Sequence, residues 1–479
     1  MKIVFAASEA APFIKTGGLG DVAQALPKAL SEYKGNEILV FLPYYASIKN
    51  NPSIDVERIA EFRMQLSWRN IYVGLMRLKS RKRKLRIYFI DNEQYFNRES
   101  IYGHLDDGER FAFFCKAILE SLVYMDECPD IIHCNDWQTA LLPVLLHAFY
   151  NDKLGQAKTM FTIHNIEYQG WAHPYFLGDV LGLADSYEST FSHNGSVNFM
   201  KGAILSSNSV TTVSQTYANQ ICHPYFAHGL DSVINAHSFK LSGIVNGIDM
   251  LENDPSSDLY LPENYDANTF ENKKPICKAQ LQQQCGLPIR SDVPLIGLVS
   301  RLVEHKGLDI ICQAIDEMMN LDVQLVILGT GDGIYENMLK DAARRYPDKI
   351  SLNLCFSRAM ASQIYAGSDM YLMPSKSEPC GLSQLLAMHY GSVPIVHETG
   401  GLKDTVIPFN YSSGDGLGFT FKSFTKEDML DALHRALDIY YNKKDAWKKA
   451  VYNGMSADFS WDKPAREYME LYEKLIKNA

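Results

Sequence analysis

The chain has 479 residues, more than one hydrophobic core usually serves, so two domains are expected. Hydrophobic residues make up 46%, and 46 Lys and Arg against 56 Asp and Glu leave a net charge of −10, which argues against nucleic acid or an anionic membrane as the main partner and for a neutral one. Nine cysteines (115, 128, 134, 222, 277, 285, 312, 355 and 380) include no C-x-x-C pair and leave an odd count, so neither a disulfide framework nor a zinc site is signalled and a reduced, cytoplasmic setting fits best.

The apolar run Ile3-Val4-Phe5-Ala6-Ala7 is cut short by Glu9 and Lys15, which reads as a first strand and not a signal peptide. No run approaches the ~20 apolar residues of a membrane span. After the strand comes Lys15-Thr16-Gly17-Gly18-Leu19-Gly20-Asp21, then a helical pattern from Val22 to Leu30. Strand, glycine loop and helix in that order make an anion seat: Gly17 and Gly18 let amide groups approach oxygen, the helix start adds positive potential, and Lys15 adds a charge. A P-loop is excluded because the lysine precedes the glycines. A dinucleotide site is disfavoured, because Glu9 to Gly17 separate the strand from Gly18-x-Gly20 and the second strand, Ile38 to Leu42, ends without a carboxylate.

Two runs of strand character follow, Tyr72 to Leu78 and Leu85 to Ile90, flanking Lys79-Ser80-Arg81-Lys82-Arg83-Lys84, which reads as a solvated hairpin turn. Asp107 opens an amphipathic stretch reaching about Met125. Ile131 to Cys134 reads as a buried strand ending at Asn135-Asp136-Trp137, and Thr159 to Ile163 as another ending at His164-Asn165. Functional groups of open α/β sheets gather at such carboxyl ends. Asp136 and Trp137 suit either a neutral sugar, held by hydrogen bond and ring stacking, or a helix cap beside a packed aromatic.

The inter-domain crossing is placed near Leu241 to Val245. A second strand and helix alternation then runs through Leu295 to Val299, Gln324 to Gly329, Met370 to Met373 and Val393 to Val396, implying a second parallel sheet. Arg301 and Lys306 stand together at the end of the first of these strands, a pattern suited to a diphosphate. Glu378 lies in a strand-to-helix turn, with Gly381 and Leu382 read as the helix start whose amides take a phosphate oxygen. Cys380 reads as packing, since no His-Asp arrangement supports a nucleophile. Thr399-Gly400-Gly401 offers another loop of backbone donors. The tail from Asp428 is helical, broken at Phe459 to Asp462.

Lys-Thr-Gly-Gly-Leu-Gly-Asp-Val, preceded by Ser8-Glu9-Ala10-Ala11-Pro12, resembles the N-terminal signature of the bacterial glycogen synthase and plant starch synthase family, and the resemblance continues through Asp107 to Phe114, Asp136-Trp137, Thr162 to Asn165, Val245 to Asp249, Ser300 to Gly307 and Glu378 to Leu385. It implies an α/β fold of two facing Rossmann-like domains of the GT-B type, 1–243 on the acceptor side and 244–459 binding the nucleotide sugar, with a deep cleft between them and a final helix, 460–479, crossing back to the first. It implies glucose transfer from ADP-glucose to the non-reducing end of an α-1,4-glucan with retention, without a metal or cofactor; no D-x-D occurs. Glu378, His164, Arg301 and Lys306 are then the catalytic group. Lys15, Gly17, Gly18, Asn165, Asn246, Phe356, Cys380, Gly381, Leu382, Thr399 and Gly400 surround the donor, and Glu9, Asp21, Tyr102, Asp136 and Trp137 line the acceptor path. Relatives usually read His-Asp-Trp-His where this chain has Asn135-Asp136-Trp137-Gln138, and often Tyr-Asp-Glu where it has Phe356-Ser357-Arg358. A second glutamate common eight residues after the first is replaced by Leu386. A same-fold nucleotide-sugar epimerase and a non-catalytic glucan or nucleotide-sugar binding protein are the alternatives.

Overall fold

The computed structural model describes residues 1–80 and 84–477. They form two compact units, Met1–Asn246 with the C-terminal segment from Trp461, and Gly247–Ser460. The chain passes between them after Asn246 and after Ser460. Ile244 stays with the first unit because its N–H bonds Thr212 O at 2.9 Å and its side chain is buried in that unit's core.

In the first unit, β1 (Lys2–Ala6), β2 (Glu37–Pro43), β3 (Val56–Leu66), β4 (Arg69–Leu78), β5 (Leu85–Asp91), β6 (Ile131–Asn135) and β7 (Lys158–Ile163) enter one sheet. β8 (Trp171–Ala172), β9 (Ser192–His193) and β10 (Ser196–Asn198) form a small antiparallel sheet of their own, and β11 (Ser209–Thr212) and β12 (Leu241–Gly243) return to the large one. Its order is β12-β11-β7-β6-β1-β2-β5-β4-β3. All ladders are parallel except β3 with β4 and β4 with β5. Ile3 to Ala7 are fully buried, as a central strand covered on both faces requires. β3 is a strand that the sequence reading passed over, although Phe62, Met64 and Leu66 alternate with Arg63 and Gln65. Of the basic turn between β4 and β5, Arg81, Lys82 and Arg83 lie outside the described residues; Lys79 pairs with Asp55 at 2.8 Å.

The second unit holds β13 (Leu295–Val299), β14 (Gln324–Leu328), β15 (Ile350–Asn353), β16 (Met370–Met373), β17 (Val393–His397) and β18 (Phe419–Phe421), all parallel, in the order β15-β14-β13-β16-β17-β18. Each unit has its own large apolar core. The helix Asp462–Lys477 packs into the first, burying Ala465, Tyr468, Met469 and Tyr472, with Tyr472 OH 2.7 Å from Nδ1 of the fully buried His133. No helix among the described residues is long and apolar enough to cross a membrane.

The parallel part of each sheet reverses strand order at one place, between β1 and β6 in the first unit and between β13 and β16 in the second. Loops leaving the carboxyl ends of strands at such a reversal diverge and open a crevice. These loops are residues 7–17 and 136–139 in one unit, and 300–307 and 374–382 in the other.

Candidate active site

In the first unit the loop after β1 folds around Glu9. Its Oε2 accepts the Thr16 N–H at 2.5 Å and the Thr16 hydroxyl at 2.7 Å, and burial raises its pKa despite these bonds. The carboxylate thus fixes the loop carrying Lys15, Gly17 and Gly18. Lys15 Nζ is 2.7 Å from Asp21 Oδ1, both groups about 40% exposed, so solvent keeps the pair weak and an incoming anion can compete for the lysine. The helix Gly18–Glu32 follows with no side-chain cap at Gly17, and the start of a helix attracts an anion. Gly20 is required by packing: a Cβ there would lie 2.9 Å from Lys15 Cγ.

At the end of β6, Asp136 adopts φ 57°, in the left-handed region, and its Oδ1 accepts the amides of His164 at 2.7 Å and Asn165 at 3.4 Å. Burial pushes its pKa up to about 7, against the lowering effect of those two amides. His164 Nε2 lies 2.9 Å from Asn135 Oδ1, and burial holds the ring neutral, its pKa lowered to about 3. Asn165 closes a turn by accepting the Glu167 N–H at 3.0 Å. Tyr102 OH meets Ser8 Oγ at 2.7 Å, and burial, with the charges of Glu9 and Asp136, holds its phenol well above the usual range. Glu9, Lys15, Asp21, Tyr102, Asp136, His164 and Asn165 are therefore one neighbourhood. Trp137 is packed on Phe111 (ring centroids 5.2 Å) and Phe199 (6.2 Å), so aromatic packing accounts for much of its ring. Asn246, last residue of this unit, is buried, and its Oδ1 has no hydrogen-bond partner among the described residues.

In the second unit the loop after β13 is tied down on two sides. Leu302 N–H bonds Thr330 O at 2.9 Å, and Asp332 N–H bonds Leu302 O at 2.9 Å, which leaves Arg301 exposed at the strand end. Gly307 has φ 80°, and a Cβ on it would meet Pro374 O at 2.2 Å, so only glycine lets the turn carrying Lys306 press against the segment that carries Glu378. Lys306 Nζ reaches Glu378 Oε2 at 2.7 Å; the carboxylate is buried and the same oxygen accepts the Ser375 hydroxyl at 3.0 Å. His397 in turn donates from Nδ1 to Ser375 O at 2.8 Å. Both contacts fall on Oε2, and no hydrogen bond to Oε1 is formed among the described residues.

Gly381 and Leu382 do not begin the helix, which runs Ser383–His389; Gly381 takes φ 74°, incompatible with a right-handed helix, and Leu382 is the cap residue. Cys380 is buried, and Thr399 fully so. Gly401 N–H bonds Glu378 O at 3.0 Å, and a Cβ on Gly400 would sit 1.9 Å from that same carbonyl, so this glycine pair buttresses the Glu378 turn. Phe356 is 88% exposed beyond the end of β15. Ser357 caps the helix Arg358–Gly367 through Met360 N–H at 3.2 Å, and Arg358 pairs with Glu252 at 2.7 Å. Ser8, Asn135, Ser375 and His397 join these constellations without having been singled out in the sequence. Ser375 was the most findable, since it stands three residues before Glu378.

Residues 2–236 match the family model described as starch synthase catalytic domain, and residues 282–454 the one described as glycosyl transferases group 1. Two α/β units with their loop clusters at the strand reversals, matched in this way, define a glycosyltransferase of the GT-B fold. A glycogen synthase of Clostridium novyi is 48% identical over 99% of both chains, and one of Caldicellulosiruptor bescii 46% identical over 100% of both. The solved catalytic domain of starch synthase IV from Arabidopsis thaliana, bound to ADP and acarbose, is 36% identical, with a TM-score of 0.92 and 99% of each chain covered. The chain belongs to the glycogen synthase family.

Proposed function

We propose that the protein transfers glucose from ADP-glucose to the non-reducing end of an α-1,4-glucan with retention at the anomeric carbon, releasing ADP. The observation that carries this reading is the buried Glu378 carboxylate, clamped on one oxygen by Lys306 and Ser375 at the strand reversal of the second unit. A phosphate site alone has no use for a carboxylate; a sugar with hydroxyls and a developing positive charge does. The ADP-bound starch synthase supports a nucleotide diphosphate donor.

In this reading Arg301 and Lys306 stabilise negative charge on the diphosphate as the glycosidic bond breaks, and Lys15 with the Gly17 and Gly18 amides supplies the first unit's anion seat. Glu378 Oε1 faces the donor sugar as its ring becomes positive. Neutral His164 and Asn165, both held by Asp136, orient glucose by hydrogen bonds. Phe356 presents an open ring face for the base. The acceptor hydroxyl attacks from the face that the leaving group vacates, which retains the anomer. Glu9, Tyr102 and Asp136 form a polar wall suited to the incoming glucan.

Incubation with ADP-[14C]glucose, with and without glycogen, tests the reaction. Label is expected in an α-1,4-linked polymer in proportion to ADP released. Conversion of the sugar without glycogen would identify an epimerase, and binding without turnover a carbohydrate-binding protein.

A further inference from the structure

Asn135 is fully buried at the end of β6, with its backbone N–H held by Thr139 Oγ1 at 2.6 Å. Its side-chain Nδ2 lies 3.0 Å from the carbonyl oxygen of Ala6 at the end of β1, and its Oδ1 lies 2.9 Å from His164 Nε2. A carbonyl oxygen can only accept a hydrogen bond, so the contact with Ala6 allows one orientation of the amide, NH2 toward β1 and oxygen toward the histidine. That oxygen also only accepts. Nε2 of His164 must therefore carry the proton.

The ring is neutral through burial, and the fully buried His133 nearby is held neutral for the same reason. A neutral imidazole with its proton on Nε2 bears a lone pair on Nδ1. No hydrogen bond to that nitrogen is formed among the described residues. The backbone of His164 is fixed as well, its N–H bonded to Asp136 at 2.7 Å, so the ring cannot exchange its two nitrogens without breaking the Asn135 contact.

We propose that Asn135 is a positioning residue that fixes His164 as the Nε2–H tautomer and so makes Nδ1 an acceptor for a hydroxyl group of the bound sugar; this rests on the reading of His164 as a sugar contact. The ligand atom facing His164 must then be an O–H donor. A sugar carrying fluorine or a methoxy group at that position loses the bond, because neither can donate.

The tautomer is read directly from protein labelled with 15N-histidine, in a two-bond 1H–15N correlation spectrum, with the His164 signals identified by their loss in His164→Gln. The expected pattern is a protonated-type shift on Nε2 and an unprotonated-type shift on Nδ1. In Asn135→Ala the two shifts should move toward each other, and kcat/KM for the donor should fall by roughly 10- to 100-fold, as for other residues that orient a reacting group from behind. The opposite tautomer in the parent protein, or an unaltered pattern in Asn135→Ala, overturns the proposal. The expected tautomer with undiminished kcat/KM in both Asn135→Ala and His164→Gln overturns the sugar-contact reading beneath it. The parent spectrum needs no Asn135 variant, so poor folding of Asn135→Ala does not remove the test.

Discussion

Lys306 is the partner of Glu378, and in the proposed reaction it also supplies a charge for the leaving diphosphate. Lys306→Ala is expected to lower kcat by ~10²-fold or more while changing the donor KM less, since the charge it stabilises develops only as the bond breaks. A raised KM with full kcat would show that it merely holds the donor. Asp136 offers a pH test. Its pKa is raised by burial to about 7 from an ordinary 3.8, so the folded chain binds this proton more tightly than the unfolded chain, and between those values rising pH removes stability. Asp136→Asn should therefore gain stability relative to the parent on going from about pH 5 to about pH 8, as thermal melts at both values would show. The ionised carboxylate is also the better acceptor for the His164 and Asn165 amides. The parent's kcat/KM should fall as pH drops through about 7, and Asp136→Asn should lack that limb. Single residues of this kind were visible in the sequence because charge, strand ends and turns are local. Ser375 and Asn135 were not, because a serine or asparagine declares no role until its partner is known.

At the scale of elements, the glycine pair at 400 and 401 shows why a motif can be found for one reason and required for another. In the sequence it reads as a loop of backbone donors. In the fold, the helix Gly400–Thr405 lies so close to the Glu378 turn that a Cβ on Gly401 would come within 2.1 Å of Cys380 O. Backbone cannot yield as a flexible side chain does. Gly401→Ala is expected to displace the turn carrying Glu378, lowering both the melting temperature and kcat/KM; wild-type values for both would show that the close approach is relaxed at little cost. The helix after Glu378 starts at Ser383 because Gly381 is left-handed, a conformation that a glycine permits but a one-dimensional pattern cannot announce. Ser357 caps its helix as an Asp would, since a hydroxyl and a carboxylate both accept an amide N–H.

Over the whole molecule, the C-terminal segment from Trp461 is far from the first unit in sequence yet part of its core, through Trp461, Ala465, Tyr468, Met469 and Tyr472. A chain ending at Ser460 should lose or lower the calorimetric transition of the first unit while leaving that of the second, which has its own core. Tyr472→Phe is the milder form, removing the hydroxyl on buried His133 and costing roughly 1–3 kcal/mol. Two unchanged transitions in the truncated chain would mean that the helix adds nothing to the unit it packs in. The sequence by itself determined the strands at the middle of each sheet, though not β3, β15 or β18 nearer the edges, together with the loops at their carboxyl ends and the charged and glycine residues on those loops, because backbone conformation and hydrophobic periodicity act over a few neighbouring residues. Only the tertiary structure decided that β1 lies beside β6 and β13 beside β16. Those adjacencies bring Glu9 toward Asp136 and Lys306 onto Glu378, and they arise from burying whole strand faces against distant parts of the chain, a choice that no local pattern encodes.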